Sequence, residues 1–533
     1  MHTIIFLLAC VGLFWGCLVL VVQGVGTYKR FRHYSSVPPK PISPTLPKDD
    51  IPHVTVIRPA KGLEPALYEC LASIFHQSYP RDKLTVYFCV ESRQDPAYPV
   101  LCRLVADFPD FDTAVFVEAE DPWLNGEQGR NIGPNPKIRN VSRAFREAKG
   151  DILWPLDCNV WIARDVAGRM VDRLCGFAPA GRRLTPYKFV HHLPLVVDTV
   201  TSMSHRGAGG QALLSSASVT GGSGGGDVGV PSSVASRSWA HGGGRLEETF
   251  MATTHAKFYC AINTVSIAPC IVGKSNMFRK SHLDFATDPG RNPVLAGTSA
   301  AALPRGVDHF SSYMCEDHFI GDLLWRTNIP GFANHGLVYG DLAIQPMAGM
   351  SIRAYVARRV RWLRARKWTV PSATFVEHGI ESLVCCFYLS FSLTTLPWIH
   401  NMFGIPQTWS ALGWLWTIGV IIWILVDRAV SQRLHAGLSI AVDEHTPPFA
   451  RGASRGGAEK RPFAEWLLAW LGREILALPV WTWAVFLGHS VSWRGRRFRV
   501  RSDMTVVAVN DNAKSTNGTN ADEVGKTHTT KID

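Results

Sequence analysis

The sequence predicts an α/β protein in which helices flank a mostly parallel sheet and apolar helices near both ends hold the chain to a membrane. Short apolar strands alternate with helical stretches, and the predicted strands are Val54–Ile57, Leu84–Val90, Ala114–Val117 and Ile152–Leu156. This alternation is typical of a parallel sheet, whose ligands bind at the carboxyl ends of the strands. Outside this part lie apolar runs that are long enough to cross a bilayer.

The first apolar run, Ile4–Val22, is about 19 residues long, which is enough to span a bilayer. The basic residues Lys29, Arg30 and Arg32 follow it, so the positive-inside rule places the next part of the chain in the cytosol. The run lacks a basic n-region and a small-residue cleavage site, and we therefore expect an uncleaved anchor. The predicted divisions are 1–27 for the transmembrane anchor, 28–52 for a Pro-rich linker and 53–372 for the cytosolic α/β domain.

A second membrane region is predicted over residues 373–500. Leu383–Ile399 and Leu412–Val426 are candidate spans. Trp466–Leu487 is a third apolar run, but Arg473, Glu474 and Pro479 interrupt it. The arginine-rich segment after this run favours the cytosol, whereas three further spans would place it outside. We therefore expect the interrupted run to be interfacial or re-entrant.

Two segments have the composition of disordered chain. Residues 206–244 are dominated by Gly, Ser, Ala and Val, and they predict a flexible insertion within the α/β domain. Residues 501–533 are mostly polar and predict a disordered tail. Neither segment carries enough large apolar side chains to form a core.

Composition restricts the class of protein. The chain is 46% hydrophobic and 18% charged with a net charge of +12, and its basic residues gather beside apolar segments. This arrangement indicates a membrane surface or an anionic substrate, and no nucleic-acid-binding motif is present. The 12 cysteines form no CxxC pair, which argues against a zinc site or a redox pair and favours a reducing compartment.

Three aspartates lie where an active site at strand ends would place them. Asp95 follows the second predicted strand, Asp157 ends the fourth, and Asp317 precedes an apolar helix. A single aspartate in such a place is usually a cap or a turn residue. A carboxylate that ends a buried strand needs a cation or a hydrogen-bond donor, because burying an unpaired charge is costly.

The segment after these aspartates carries a second signal. Arg358, Arg361 and Trp362 are spaced i, i+3 and i+4, so they share one face of a helix. Two guanidiniums beside an indole suit a diphosphate and a ring. The alternative is a basic helix beside the membrane that binds anionic headgroups, because Arg364 and Arg366 crowd the same segment.

This ordered set resembles the D, D, D, (Q/R)xxRW signature of glycosyltransferases with a GT-A fold. Four segments are similar to motifs of the ceramide glucosyltransferase family: Gly133–Asn140 (GxNPKxxN), His191–Pro194 (HxLP), Gly273–Lys280 (GxSxxxRK) and Ser492–Arg494 (SWR). The resemblance covers nearly the whole chain except the insertion and the tail. It implies a GT-A-type catalytic domain with membrane helices at both ends.

The resemblance also implies roles for individual residues. Asp95 would contact uridine, Asp157 would hold a divalent cation (Mg²⁺ or Mn²⁺) on the diphosphate, and Asp317 would be the general base. The remaining implied site residues are Arg358, Arg361 and Trp362 over the diphosphate, Lys137 and Asn135 at the nucleotide sugar, and His191 and Cys270 at the acceptor. His191 could equally be a plain loop histidine, and Cys270 a buried apolar thiol. Asp157-Cys158-Asn159 departs from the family pattern, since it offers one carboxylate instead of two.

The implied activity is transfer of glucose from UDP-glucose to the primary hydroxyl of ceramide, with inversion to a β-linkage. The expected protein is a multi-pass enzyme of the Golgi or ER with a cytosolic catalytic domain and lipid partners, no nucleic-acid partner, and homo-oligomerisation left open. One alternative is a processive polysaccharide synthase, which needs more membrane spans than this sequence offers. A non-catalytic transporter or lipid-binding protein is the alternative of another class.

Overall fold

The computed structural model describes residues 2–125, 132–200, 242–457, 461–493 and 496–509. A seven-stranded sheet with helices on both faces forms its centre, which confirms the predicted α/β class. Its strands are β1 (Val54–Pro59), β2 (Leu84–Val90), β3 (Asp112–Val117), β4 (Ile152–Pro155), β5 (Tyr187–Asp198), β6 (Asn276–Arg279) and β7 (Ala333–Met347). The four predicted strands correspond to β1–β4, with ends that agree within two residues.

The strands follow the order β3-β2-β1-β4-β6-β5-β7 across the sheet. β1 pairs in parallel with β2 and β4, and β2 pairs in parallel with β3. β6 is antiparallel to both β4 and β5, whereas β5 and β7 are parallel. The carboxyl ends of β1, β2 and β4 therefore meet at one edge, where parallel sheets bind their ligands.

The helices surround this sheet and extend beyond it. They are α1 (His2–His33), α2 (Leu67–Ala72), α3 (Tyr98–Asp107), α4 (Pro122–Asn125), α5 (Pro136–Arg146), α6 (Val166–Cys175), α7 (Gly243–Phe250), α8 (Ala256–Val265), α9 (Lys280–Ala286), α10 (Glu316–Arg326), α11 (Ile352–Arg366), α12 (Pro371–Val376), α13 (Ser382–Thr395), α14 (Pro397–Phe403), α15 (Trp409–His435) and α16 (Phe463–Phe486). A five-residue π-helix, Met251–His255, joins α7 to α8.

Two apolar layers cover the faces of the sheet, because successive side chains of a strand point to opposite faces. Val56 and Phe88 belong to the core on one face, whereas Ile57 and Tyr87 belong to the core on the other. Every residue of β1 and β2 is buried. This double coverage explains why most residues of both strands are apolar and why the strands could be predicted from the sequence; Thr55 and Arg58 are the polar and charged exceptions in β1.

Two described helices are long and apolar enough to cross a membrane, Thr3–His33 and Trp409–His435. A third candidate is the pair α13–α14, which bends by 78° between the two helices. The predicted span Leu383–Ile399 is therefore broken near its end, because Pro397 cannot continue the hydrogen bonding of the preceding turn. Along α1, an added Cβ at Gly16 would lie 2.3 Å from the Leu389 side chain, so α1 and α13 pack closely.

The interrupted apolar run is one continuous helix of 24 residues, α16. Its charges do not break it, because Arg473 pairs with Glu381 at 3.0 Å and also with Glu474. Ser382 donates a hydrogen bond to Glu474 at 2.7 Å. Nearby, the Lys257 ammonium lies 2.6 Å from the Asp427 carboxylate on α15, and both side chains are almost fully buried. This ionic network joins α8 and the helices α13, α15 and α16.

Several predicted boundaries differ from the structure. α1 continues to His33, beyond the predicted end of the anchor at residue 27. Most of the predicted 206–244 insertion lies outside the described residues, but Gly243 and Gly244 begin α7 and are buried. Part of the predicted tail is ordered: Val506–Ala508 pairs with Arg496–Val500, which pairs with Ser490–Trp493 in a second, antiparallel sheet. Residues 510–533 lie outside the described part of the chain.

Candidate active site

Four elements bring charged side chains together at the carboxyl edge of β4. Asp157 follows β4 directly, and its backbone N–H donates to the carbonyl of Lys274, just before β6, at 3.0 Å. Lys137 lies in the first turn of α5, and Asp317 lies in the first turn of α10. Asp157, Lys137 and Asp317 line one small cavity together with Pro59, Gly273 and Glu316. Lys274 contacts Asp157 in the wall of this cavity.

The Lys137 ammonium is at the centre of this cluster. It lies 3.0 Å from Asp317 Oδ2, 3.0 Å from Glu316 Oε1 and 3.2 Å from Asp157 Oδ1. The Lys137 side chain is 12% exposed, so one nearly buried cation holds three carboxylates. Buried charges are stable in this way only when opposite charges contact them.

Lys274 is a second cation on the opposite side of Asp157. Its ammonium lies 3.1 Å from Asp157 Oδ2 and 3.2 Å from Asn159 Oδ1. Both carboxylate oxygens of Asp157 therefore face an ammonium group. The site holds three carboxylates and two ammonium groups, so an added diphosphate would require further positive charge.

Asn135 organises the entrance to α5. Its side-chain oxygen accepts hydrogen bonds from the backbone N–H groups of Lys137 and Ile138, as an N-cap does. Its amide nitrogen donates to Glu316 Oε2 at 3.1 Å. Asn135 thus fixes α5 against α10 and positions Lys137. This places it beneath the cluster and not in contact with open space, since it is 1% exposed.

Gly273 allows the loop before β6 to approach the carboxylate of Asp317. A Cβ added at Gly273 would lie 1.8 Å from Asp317 Oδ2. A side chain at this position would displace the Asp317 carboxylate, so glycine is required to keep that carboxylate in the cluster. The Asp317 side chain is nevertheless 21% exposed, and a substrate can reach it.

The environment separates the pKa values of the two aspartates. Burial raises the pKa of Asp157, but Lys137 and Lys274 outweigh burial and bring it to about 2. Burial raises the pKa of Asp317 as well; Lys137 opposes this effect, Glu316 and Asp157 add to it, and the pKa is about 7. Asp157 is thus a permanent anion, whereas Asp317 exchanges protons near neutral pH, as a general base does.

Asp95 lies outside this cluster. Its Oδ1 accepts hydrogen bonds from the backbone N–H of Gly62 at 2.8 Å and of Ala97 at 2.9 Å. It therefore joins the loop after β1 to the loop after β2. Both loops lie at the carboxyl edge of the sheet, but no described contact connects Asp95 with Lys137.

The predicted arginine–tryptophan motif is confirmed as one face of α11, with the Arg358 guanidinium 4.7 Å from the centre of the Trp362 ring. However, Arg358 pairs with Glu247 of α7 at 2.9 Å and does not contact the carboxylate cluster. Trp362 packs beside Val196 and Phe250. Arg361 lies on the same helix, one turn after Arg358.

The flanking arginines do not lie free for lipid headgroups. Arg364 donates to the carbonyls of Ser490 at 2.7 Å and Leu487 at 2.9 Å, so it fixes the chain between α16 and the second sheet. Arg366 pairs with Glu377. The interpretation of these two arginines as headgroup contacts is therefore wrong, because both guanidiniums have protein partners.

Of the two predicted acceptor residues, His191 lies in the interior and Cys270 is partly buried. His191 is 0% exposed in β5, and its Nδ1 pairs with the Tyr259 hydroxyl at 2.5 Å. Burial lowers the pKa of His191 to about 3, so the ring is neutral. Burial raises the pKa of the Cys270 thiol to about 11, which indicates a packed thiol and not a reactive one. The structure brings neither residue to the carboxylate cluster.

Sequence reasoning missed two members of the cluster, Lys274 and Glu316. Both stand in segments that were recognised, since Lys274 follows Gly273 and Glu316 precedes Asp317. The neighbours of Lys274 are Gly273, Ser275 and Asn276, so the local sequence carries no signal that its ammonium is buried against a carboxylate. Glu316 carries no distinctive signal, because acidic residues are common in the first turn of a helix, where they stabilise the helix dipole.

The donor set for a metal ion is small. Among the residues that the structure describes, no group of three or more His, Cys, Asp or Glu side chains could hold one. Asp157 offers a permanently ionised carboxylate that is 23% exposed. One carboxylate suits Mg²⁺ or Mn²⁺ when phosphate oxygens and water supply the other ligands. The residues therefore fit a cation that arrives with a diphosphate, and not a cation held by protein alone.

Comparisons with known proteins agree with this geometry. The family described as "Glycosyl transferase family 21" matches residues 7–194 and 305–506. The ceramide glucosyltransferase of Pyricularia oryzae is 54% identical over 96% of this chain and 97% of the relative, and that of Gibberella zeae is 50% identical over 93% and 92%. The ceramide glucosyltransferase of Candida albicans is 33% identical over 85% of this chain and 87% of the relative.

Among solved structures, a mannosyltransferase from Pyrobaculum calidifontis in complex with GDP-Man and Mn²⁺ is similar over 81% of this chain and 98% of that chain. The identity is 15% and the TM-score is 0.37, which is too low for an inference about the site. The family match and the mostly parallel sheet confirm the predicted glycosyltransferase of GT-A type, and this chain belongs to glycosyl transferase family 21.

Proposed function

We propose that this enzyme transfers glucose from UDP-glucose to the primary hydroxyl of ceramide and forms β-glucosylceramide. The names of its relatives supply the reaction, since three of them are ceramide glucosyltransferases that match most of this chain. The observation in the structure that best supports it is the pair Asp317 and Lys137, 3.0 Å apart at the edge of the sheet. A carboxylate with a pKa of about 7 beside a cation suits deprotonation of an alcohol next to an anionic leaving group.

In this proposal, Asp317 accepts the proton of the ceramide hydroxyl as the oxygen attacks the anomeric carbon. The bond between that carbon and the UDP oxygen breaks, and UDP leaves as an anion. Attack on the face opposite UDP inverts the anomeric centre, so an α-linked donor gives a β-linked product. Lys137 and Lys274, which now pair with carboxylates, would also form ion pairs with the oxygens of the diphosphate.

A divalent cation bound with the diphosphate would stabilise the negative charge of the leaving UDP. Asp157 is the residue that would hold it, because its low pKa keeps the carboxylate ionised. Arg358, Arg361 and Trp362 would complete the donor site from α11. For Arg358 this requires release from Glu247, which now binds it at 2.9 Å.

The membrane helices support a lipid acceptor. α1 and α15 are long and apolar enough to cross a membrane, and α8, which ends before the Gly273 loop, packs on α1. A processive polysaccharide synthase would need a pore of more spans than the two or three that the described residues contain. We infer a multi-pass protein of the Golgi or ER with its catalytic domain in the cytosol. In this topology α1, the α13–α14 pair and α15 cross the membrane, and α16 lies at its cytosolic surface.

The test is turnover of radiolabelled UDP-glucose by the purified full-length chain with short-chain ceramide, against UDP-galactose as the competing donor. We expect glucosylceramide that a β-glucosidase cleaves. Asp317→Asn should lower turnover by about 10²–10⁴-fold, while equilibrium binding of UDP-glucose changes little.

Asp322→Asn is the matched control, because Asp322 lies on the same helix but pairs with Arg326 at its surface. It should leave turnover unchanged. Polymeric product would support the synthase instead, and near-normal turnover by Asp317→Asn would contradict the role of Asp317.

A further inference from the structure

A cavity of about 280 Å³ lies away from the carboxylate cluster, at the end of α15 that adjoins the catalytic sheet. It is enclosed by the ends of β5 and α15, by α7, by the segment that follows α15, and by Trp466 of α16. Its apolar walls include Leu195, Leu434 and Phe449. Its size and mostly apolar lining are those of a ligand pocket, and the proposed glycosyl transfer does not use it.

Two arginines in the wall of this cavity have no carboxylate partner among the described residues. Arg428 donates to the carbonyl of Arg461 at 2.9 Å, and Arg451 donates to the carbonyl of Thr446 at 2.7 Å. Each contact is to a neutral oxygen, so neither charge is neutralised. Elsewhere in the same wall, Arg461 lies 3.5 Å from the carboxylate of Glu248, which shows that the protein pairs one arginine there and not the other two.

An unpartnered buried donor lies in the same wall. Trp466 is 4% exposed, and its indole N–H has no acceptor within the described part of the chain. The Arg428 guanidinium lies 5.1 Å from the centre of the Trp466 ring. A buried N–H without an acceptor is costly, and a ligand with an anionic oxygen would satisfy it.

The surroundings of the cavity indicate a lipid and not a soluble anion. Arg428 follows one turn after the exposed Leu425 on α15, a helix that is long and apolar enough to cross a membrane. In the topology proposed above, this end of α15 is the cytosolic one, where a long basic side chain reaches the headgroups. Phe463, at the start of α16, is 51% exposed beside it. In that topology the cavity lies at the cytosolic end of α15, on the side where phosphates of the cytosolic leaflet would be.

We propose that this cavity binds the phosphate headgroup of one anionic phospholipid, with Arg428, Arg451 and the Trp466 N–H as donors and the apolar wall against the upper acyl chain. Basic pockets at the cytosolic ends of membrane helices recognise headgroups in this way. Ceramide and glucosylceramide carry no phosphate, so the site is distinct from the acceptor site of the proposed reaction.

The site is connected to the arginine–tryptophan motif through α7. Glu248, in the cavity wall, accepts a hydrogen bond from the backbone N–H of Asp198 at 3.0 Å. The preceding residue, Glu247, holds Arg358. A phosphate that draws Arg461 from Glu248 would change the charge balance next to Glu247. We therefore expect the bound lipid to alter turnover, although binding itself is the decisive measurement.

The experiment is native mass spectrometry of the purified full-length chain in detergent with dioctanoyl phosphatidic acid. Dioctanoylglycerol, which lacks the phosphate, and inorganic phosphate are the two comparison ligands. We expect one tightly bound phosphatidic acid per chain and at least tenfold weaker binding of either comparison ligand. Equal binding of inorganic phosphate would overturn the lipid assignment, and equal binding of dioctanoylglycerol would overturn the role of the arginines.

Arg428→Gln/Arg451→Gln should weaken this binding by roughly 25-fold, because each basic side chain near an anionic lipid contributes roughly a factor of five. Arg32→Gln is the control: Arg32 is an exposed basic residue near the end of α1 and does not line the cavity. The affinity of this control variant for dioctanoyl phosphatidic acid should equal that of the wild type. Should the paired variant not fold, the wild type is labelled with a photoactivatable phosphatidic acid. Label in residues 431–437 or 449–454 supports the site, and label confined to other segments overturns it.

Discussion

The pH dependence of turnover tests the role of Asp317 most directly. Its carboxylate is the active form of a general base, and its pKa is about 7 in the free enzyme. We therefore expect kcat/KM to rise with pH through about 7 and to fall about tenfold for each pH unit well below that value, because kcat/KM reports the ionisation of the free enzyme. An unperturbed aspartate, with a pKa near 3.9, would show no such change above pH 5.

Glu316→Gln should move this pH profile in a known direction. Glu316 raises the pKa of Asp317, so its neutral replacement should lower that pKa and extend activity to more acidic pH. Two like charges about 6 Å apart at an effective dielectric constant of about 20 repel by up to ~3 kcal/mol, equivalent to about two pH units. Lys137 lies between the two carboxylates and screens part of this repulsion. We expect a displacement of about one pH unit.

The assay is kcat/KM for UDP-glucose between pH 5 and pH 9 with short-chain ceramide well below its own KM, so that the free enzyme is titrated, and with thermal unfolding recorded at each pH. Asp322→Asn serves again as the control, since it removes a carboxylate from the same helix outside the cluster. Its profile should coincide with that of the wild type. A Glu316→Gln profile that is unchanged, or displaced to alkaline pH, would refute the assignment of the titrating group to Asp317.

Three further changes test other parts of the structure. Gly273→Ala should lower turnover at least 100-fold, because the added Cβ would lie 1.8 Å from the Asp317 carboxylate and displace it. This carboxylate is flexible, so the unfolding temperature should change little. Turnover and thermal unfolding followed by circular dichroism measure the two effects. Arg364→Ala should destabilise the protein by about 2 kcal/mol, because two carbonyls lose a charged donor. The free energy of unfolding in detergent measures this loss, and a wild-type value would contradict the prediction. Deletion of residues 206–241, outside the described structure, should leave activity nearly unchanged, because shortening a loop alters closure entropy by only about 1 kcal/mol; an inactive but folded protein would identify a functional lid.

The strands of the catalytic sheet could be predicted because burial on both faces leaves a continuous apolar run, as in β2. Asp157 and Asp317 could be selected because each ends or begins an apolar element, where a charge requires a partner. The partners themselves could not be predicted. Lys137 and Lys274 are separated by more than 100 residues in the sequence. Lys137 reaches Asp157 from the first turn of α5, and Lys274 reaches it because β6 lies beside β4 in the sheet.

The arginine-rich helix α11 also shows that contacts between distant segments cannot be predicted from local spacing. Its spacing correctly predicted the shared face of Arg358 and Trp362. Whether each arginine meets lipid, substrate or protein depends on distant segments: Glu247 for Arg358 and the turn before the second sheet for Arg364. Local periodicity contains no information about such contacts. The charges of α16 show the same dependence, because Arg473 pairs with Glu381, which lies 92 residues earlier in the sequence.

The ionic network between the catalytic domain and the membrane helices has a consequence for biosynthesis. Lys257 is synthesised long before Asp427, its only described carboxylate partner, and Glu381 emerges before Arg473. Until α15 and α16 have left the ribosome and reached the bilayer, α8 carries an uncompensated cation, Lys257, at a surface that is buried in the finished protein. The catalytic domain therefore cannot complete its folding co-translationally, and a chain truncated before residue 409 should be retained by chaperones and degraded instead of yielding a soluble enzyme.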